Sequence, residues 1–495
     1  MLATFGSLLA LATAPPAQCA APMDAYCASP AMSACVAAVA KQGGALPLVA
    51  LRDTDSRGGP DQWRCYSPSA LAANATRYDP TSAHRTLYCS EDAALGAALT
   101  QCERPTRLVL LEAAARDDGA VCLDGSPPAL WVRRGDPNIW HVHLEGGGWC
   151  YHDPPSLLED NGCHYRAYGP AIESHTPPAY LGSSAMLTPN GTYGTAPPRP
   201  FAYFTSADAR ENPSPTLANA SFAFVHYCDG ASFTGDAAAP ATIQGKPLYY
   251  RGRRVRDAVF AHLRDAEGMG SAESVVVSGT SAGGLAVYLN IDAIRAMLPT
   301  VPRVRGLASA GFFLAGHDAA ATAARPRNAS FTAQITALAA ASNSSAALDA
   351  GCVAAAAARG EAPEVCFFPQ RSAPFIDTPV FALQSRFDTW QLEHIPKIAT
   401  SNASGVEAYG REIAAEIAPL ADAAAGGASA RVPHALWLSS CLTHGLAQTP
   451  HWVKAITNGT HEWSAFDAWF SGALDGAHSR SWIDCNSYKC DASCP

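Results

Sequence analysis

Positive charge is scarce in this chain, and so is charge of any kind. Only 16% of its 495 residues are charged, the net charge is -9 and the pI is near 5.9. Without a basic face nothing neutralises a phosphate backbone, which excludes a general nucleic-acid binder. Arg251–Arg256 (RGRRVR) is the one basic run, and it reads as the solvated start of a helix. Long apolar stretches are lacking too. None reaches the roughly 18 residues that a membrane-spanning helix needs, so stable membrane insertion is not expected. The cysteines, although there are sixteen, do not fall into a zinc-ligand spacing. No cofactor is called for.

What is present points to secretion. Sixteen cysteines are many for a cytosolic enzyme of this size and fit an oxidising compartment. Of twelve asparagines, seven lie in Asn-x-Ser/Thr sequons: Asn74, Asn190, Asn219, Asn328, Asn343, Asn402 and Asn458. Chance would supply about two, so these are candidate glycosylation sites of a secretory protein. The N-terminus, MLATFGSLLALATA, is a short apolar stretch ending in the A-x-A-like Ala12-Thr13-Ala14. It reads as a signal peptide over residues 1–14, with Ala20 as the later cleavage point, although it has no positively charged start. Cleavage after Ala14 keeps all sixteen cysteines and cleavage after Ala20 leaves fifteen, so pairing favours the earlier site.

Residues 21–104 are rich in Cys and Ala. Cys27, Cys35, Cys65, Cys89 and Cys102 read as staples of a small helical accessory module in which no chemistry is legible. The character changes at Arg107, and residues 105–495 read as one larger domain. Strand-like runs occur at Leu108–Leu111, Ala129–Arg133, Ile139–Leu144, Phe222–Val225, Val275–Ser278, Val304–Ala308, Val380–Leu383 and Ala435–Ser439. Helical patterns lie between them at Val255–Arg264, Leu285–Met297, Thr332–Ala341 and Val406–Ala425. That alternation predicts an α/β fold, a mostly parallel sheet with helices on both faces. Tyr151–Pro200 and His317–Pro369 read as largely irregular surface insertions or a lid.

The chemistry centres on VVVSGTSAGG at Val275–Gly284. A buried strand, a serine between glycines and then a helix is the elbow on which α/β-hydrolases expose a nucleophile, here Ser281. Glycines flank it because a side chain there would strike the neighbouring strand or helix. The acid and the histidine should follow in that order, each just past a strand at the carboxyl edge of the sheet. Asp388 leaves the strand Val380–Leu383, and His444 follows the strand Ala435–Ser439. His143, His226, His317 and His434 compete for the histidine role. Upstream, IWHVHLEGGGW (Ile139–Trp149) is a strand running into three glycines, the arrangement of an oxyanion loop. Gly147 and Gly148, with Ala282 after the nucleophile, are the expected donors. His141, His143 and Glu145 share one face of that strand, but plain alternation explains the spacing and no metal is expected.

Several stretches together resemble the pectin acetylesterase family, which includes the Wnt deacylase Notum. They are AVCLDGSPPALWVRRG (Ala120–Gly135), HLEGGGWC (His143–Cys150), HYCDGASFTGD (His226–Asp236) and YYRGRRV (Tyr249–Val255), followed by VSGTSAGG (Val277–Gly284), FDTWQL (Phe387–Leu392), SCLTHG (Ser440–Gly445) and DCNSYKCDASC (Asp484–Cys494). The resemblance implies an α/β-hydrolase-like fold, no metal, and a Ser–Asp–His triad falling on Ser281, Asp388 and His444. It places the oxyanion donors on Gly147, Gly148 and Ala282. It also implies that Cys150, Cys163, Cys228, Cys352, Cys366, Cys441, Cys485, Cys490 and Cys494 mostly form disulfides. Trp149, Tyr151, Phe312 and Phe313 are the candidate pocket residues. Gly148, a third glycine before Trp149, matches the pectin acetylesterase form and favours a small acyl group. The expected function is a secreted, monomeric serine carboxylesterase removing acetyl groups from pectin or another cell-wall or extracellular polysaccharide. The alternatives are a Notum-like lipid deacylase of a protein and a catalytically silent glycan-binding protein.

Overall fold

The computed structural model describes residues 48–53, 62–66, 86–89, 106–150, 162–168, 203–207, 211–316, 330–421, 432–475, 480–485, 487–488, 490 and 494. The chain divides into two compact units, Met1–Arg104 and Pro105–Pro495. In the first unit the described residues are three short strands in an antiparallel sheet. Leu48–Asp53 lies between Gln62–Tyr66 and Thr86–Cys89. The helical stretches expected between Cys27 and Cys35 and between Cys89 and Cys102 lie outside the described residues; where the chain is described it is extended, and Gln62-Trp63-Arg64-Cys65 alternates polar and apolar as a pleated strand does. The signal-peptide segment lies outside the described residues.

The second unit is built on a nine-stranded sheet. Its strands are β1 (Thr106–Leu110), β2 (Ala129–Arg133), β3 (Asp136–Leu144), β4 (Ala220–Val225), β5 (Ser274–Thr280), β6 (Arg303–Ser309), β7 (Val380–Ser385), β8 (Ala435–Ser439) and β9 (Ser481–Ile483). Their order across the sheet is β9-β8-β7-β6-β5-β3-β4-β2-β1. The seven strands from β9 to β4 pair in parallel, and β2 and β1 add an antiparallel edge. The expected α/β-hydrolase-like, mostly parallel sheet is what the chain forms.

Strand β5 sits near the middle and every one of its residues is buried. A strand covered on both faces has no reason to alternate, which is why SVVVS reads as a continuous apolar run. Its valines nevertheless divide between two cores. Val275 and Val277 join the larger core with helices α1 (Gly252–Asp265), α2 (Ala282–Met297) and α4 (Ala403–Ile417). Val276 joins a second core with Leu307, Phe381, Trp437 and the helix Glu462–Phe470. Helices therefore cover both faces.

The helix expected at Thr332–Ala341 forms as α3 (Phe331–Ala341), but two other expectations need correcting. The stretch around it, read as largely irregular, also holds a further helix, Ala350–Ala358. Both start at side-chain caps: Ser330 Oγ accepts from Ala333 N–H, and Asp349 Oδ1 accepts from Cys352 N–H at 2.8 Å. With a cap in place, a run of alanines has the best intrinsic propensity for the helix that follows. At the other end, α4 stops at Ile417 rather than Ala425, because Pro419 follows and the chain tightens into the 3-10 turn Ala418–Leu420.

Five disulfides join described residues: Cys122–Cys228, Cys150–Cys163, Cys352–Cys366, Cys441–Cys494 and Cys485–Cys490. Cys122 is the one not anticipated. No described helix is long and apolar enough to cross a membrane.

Candidate active site

Strand β5 ends at Thr280 and α2 begins at Ala282, leaving Ser281 alone in the turn with φ 61° and ψ -126°. A side chain other than glycine rarely adopts this conformation, and surrounding bonds must hold it. Ser281 N–H donates to the Ser309 carbonyl at 2.9 Å, and the Ser281 carbonyl accepts from Leu285 N–H at 2.9 Å. The glycines fit for a measurable reason. A Cβ on Gly279 would lie 2.1 Å from the Gly283 carbonyl oxygen, and one on Gly283 would lie 2.1 Å from that of Leu144. Strand, turn and helix touch backbone to backbone.

Asp388 is fully buried and caps the short helix Thr389–His394, its Oδ1 accepting from Gln391 N–H at 3.0 Å. Its Oδ2 accepts from Gln384 Nε2 at 3.2 Å. His444 Nδ1 lies 3.0 and 2.9 Å from the two carboxylate oxygens, which fixes the ring with Nδ1 as donor and Nε2 free to accept a proton. Nε2 is buried and has no hydrogen-bond partner among the described residues, so the bond to Ser281 Oγ is not closed here. Catalytic hydrogen bonds in free enzymes are often long and tighten with substrate. The histidine loop does reach the elbow: a Cβ on Gly445 would lie 3.1 Å from Thr280 Cγ2.

The glycine loop passes directly beside the serine. A Cβ on Gly146 would lie 2.1 Å from the Thr280 carbonyl oxygen and 3.2 Å from Ser281 Cβ, so only glycine permits this approach. The carbonyls that follow are held by side chains. Gly147 O accepts from Arg166 Nη1 at 2.8 Å, and Gly148 O accepts from the Tyr227 hydroxyl at 2.9 Å. Ala282 opens α2, where a first-turn N–H has no intrahelical acceptor. Ser232 ties the pieces together. Its Oγ accepts from Trp149 Nε1 at 2.8 Å and donates to the Ala282 carbonyl at 2.8 Å, while its N–H donates to Tyr227 Oη at 3.1 Å. Buried Asp229 braces the same loop by accepting from the N–H groups of Ala231 and Phe233, and desolvation raises its carboxyl to about 7. Burial likewise pushes the Tyr227 phenol up, so it stays a protonated donor.

Four aromatic rings pack beside His444. Trp149, Phe313, Phe331 and Trp390 each touch the other three, with centroids 4.8 to 6.2 Å apart. Phe313 and Trp390 face the His444 ring at 6.3 and 6.2 Å. Trp149 and Phe313 were anticipated for the pocket; Phe331 and Trp390 were not, although Trp390 stands two residues after Asp388. The Phe312 ring turns instead onto Tyr288 at 6.0 Å. Its peptide groups are held by glutamines, N–H by Gln384 Oε1 and C=O by Gln391 Nε2. Tyr151 lies outside the described residues.

The competing histidines are engaged elsewhere. His143 Nδ1 and His141 Nε2 both meet Ser278 Oγ, at 2.9 and 2.6 Å, and desolvation lowers His143 to about 4 and His141 well below its ordinary value. His226 pairs with Glu145 at 2.8 Å, and His434 Nδ1 accepts from Val380 N–H. His317 lies outside the described residues. Among the described residues no group of three or more His, Cys, Asp or Glu is placed to hold a metal. Of the sequons, Asn219, Asn343, Asn402 and Asn458 are exposed; Asn74, Asn190 and Asn328 lie outside the described residues.

Known proteins match this architecture. The profile of the Pectinacetylesterase family covers residues 100–495. Pectin acetylesterase 11 of Arabidopsis thaliana is 29% identical over 419 residues, covering 79% of this chain and 93% of that protein. Pectin acetylesterase 7 of the same plant is 30% identical over 404 residues, covering 76% and 90%. The human palmitoleoyl-protein carboxylesterase NOTUM is 24% identical, covering 76% of this chain and 71% of its own length. A crystal structure of the Drosophila Wnt deacylase Notum aligns with a TM-score of 0.61 at 22% identity, over 79% of this chain and 100% of that one. The chain belongs to the pectinacetylesterase family and is a carboxylic ester hydrolase.

Proposed function

We propose that this protein is a secreted serine esterase that removes acetyl groups from pectin or a related cell-wall or extracellular polysaccharide. The observation that carries the reading is His444, gripped through Nδ1 by both oxygens of buried Asp388, with Nε2 unpartnered among the described residues, on a loop whose Gly445 packs against Thr280 of the elbow. His444 takes the proton as Ser281 Oγ attacks the ester carbonyl, and Asp388 stabilises the imidazolium. The amides of Gly147, Gly148 and Ala282 hold the oxyanion. The imidazolium then gives its proton to the departing sugar oxygen, leaving an acetyl-serine. Water, deprotonated by His444, attacks that ester, and Ser281 leaves with the proton while acetate is released.

The aromatic group supports a small acyl chain. We read the four rings in mutual contact beside His444 as walls of a short acyl pocket. The disulfides and exposed sequons support secretion, and the pectin acetylesterase relatives support the polysaccharide. The test is acetate release from acetylated pectin, xylan and mannan, alongside p-nitrophenyl acetate and octanoate. The proposal expects release from pectin and a preference for the acetate ester of about tenfold or more. Preference for the octanoate would instead favour a lipid deacylase.

A further inference from the structure

In a trans peptide the C=O of one residue and the N–H of the next point in opposite directions. The Gly147 carbonyl and the Gly148 N–H therefore belong to one unit, and whatever grips the first aims the second. Arg166 Nη1 donates to that carbonyl at 2.8 Å. The following unit, Gly148–Trp149, is gripped in the same way by the Tyr227 hydroxyl at 2.9 Å. Arg166 rides on the helix Cys163–Tyr168, which the Cys150–Cys163 disulfide ties to the residue just past Trp149. Gly148 has φ +69°, and a Cβ there would lie 3.5 Å from Arg166 Nη2, so the guanidinium lies close against the loop.

We infer that Arg166 is a positioning residue of the oxyanion hole: its guanidinium, behind the Gly147–Gly148 peptide, aims and polarises the Gly148 N–H toward the developing charge. This rests on the oxyanion role proposed above for Gly148. A hydrogen bond from a cation is roughly twice as strong as a neutral one. Drawing electron density onto the carbonyl oxygen strengthens the N–H at the other end of the same amide. The positive charge also faces the oxyanion through a fixed peptide rather than through water, so it acts mainly once negative charge has formed. Arg166 needs no contact with substrate for this. Tyr227 holds the adjacent peptide without charge.

The experiment compares Arg166→Gln, Arg166→Lys and Tyr227→Phe with the wild type on p-nitrophenyl acetate, and measures inhibition by an alkyl boronic acid. That probe adds to Ser281 Oγ as a tetrahedral anion, the serine proton passing to His444. Arg166→Gln should lower kcat about tenfold, less than the 10²–10³ lost with an oxyanion donor itself. KM should stay within about twofold, boronate affinity should fall in step with kcat, and Arg166→Lys should recover part of both. Tyr227→Phe, which loosens the neighbouring Gly148–Trp149 peptide rather than the one that carries the Gly148 N–H, should lower kcat less. Wild-type kcat in Arg166→Gln, or a rise in KM alone, would overturn the inference; the second result would make Arg166 a substrate-binding cation. If Arg166→Gln does not fold, Arg166→Lys and Tyr227→Phe carry the test, and unchanged kcat in both overturns it. Activity surviving in Ser281→Ala would instead sink the underlying nucleophile assignment, whatever Arg166 does.

Discussion

Both oxygens of Asp388 face His444 Nδ1, and donors from Gln384 and the Gln391 backbone fill the remaining positions. Asparagine would still cap the following helix, since it caps as well as aspartate. Its amide, however, can present N–H to Nδ1 and favour the tautomer with the proton on Nε2, which cannot accept from Ser281. Asp388→Asn should therefore lower kcat on p-nitrophenyl acetate about 10³- to 10⁴-fold, with the melting temperature little changed. His143 gives a different test. Burial holds its ring at about 4, below the ordinary value of 6.5, because the charged form is excluded from the fold. Its contribution is therefore full above pH 6.5 and is lost as pH falls toward 4. The stability gap between wild type and His143→Asn should narrow over that window, by about 3 kcal/mol at most, in denaturant titrations. The positions of Ser281, Asp388 and His444 just past strands were legible because each sits in a short motif that follows an apolar run. Arg166, Gln384 and Ser232 were not. Each acts on a backbone group that folding alone brings near, and no local pattern announces it.

The elbow is the element where geometry leaves least freedom. Gly283 sits against the Leu144 and Glu145 backbone, and neither neighbour is a side chain that could swing away. Gly283→Ala should cost about 3 kcal/mol or more, or prevent folding, measured by denaturant unfolding. A loss below about 1 kcal/mol would show that helix and strand can separate there. The strand-turn-helix pattern around it was readable from a buried apolar run, glycines and a helical period. Elements lacking such a period were harder. The three residues of β9 are too few to show alternation, and the Ala350–Ala358 helix is so uniform that only its Asp349 cap marks it. The end of α4 was set by Pro419, a local signal that a longer periodic pattern obscured.

Across the molecule, the parallel sheet does the assembling. Ser281 follows β5, Asp388 follows β7 and His444 follows β8, so three residues far apart in sequence reach one carboxyl edge. The Cys441–Cys494 disulfide ties the C-terminal segment to the loop that carries His444. Chain order alone could suggest that shared edge, whereas the ring contacts of Phe331 depend on α3, whose place in the core is a matter of packing. The central claim is that Ser281 is the nucleophile. Its most direct test is to treat the protein with a fluorophosphonate and map the adduct by peptide mass spectrometry. The account predicts one adduct on the peptide containing Ser281, absent in Ser281→Ala, with esterase activity lost in parallel. An adduct on another residue, or a Ser281→Ala protein that still hydrolyses p-nitrophenyl acetate at the wild-type rate, would contradict it.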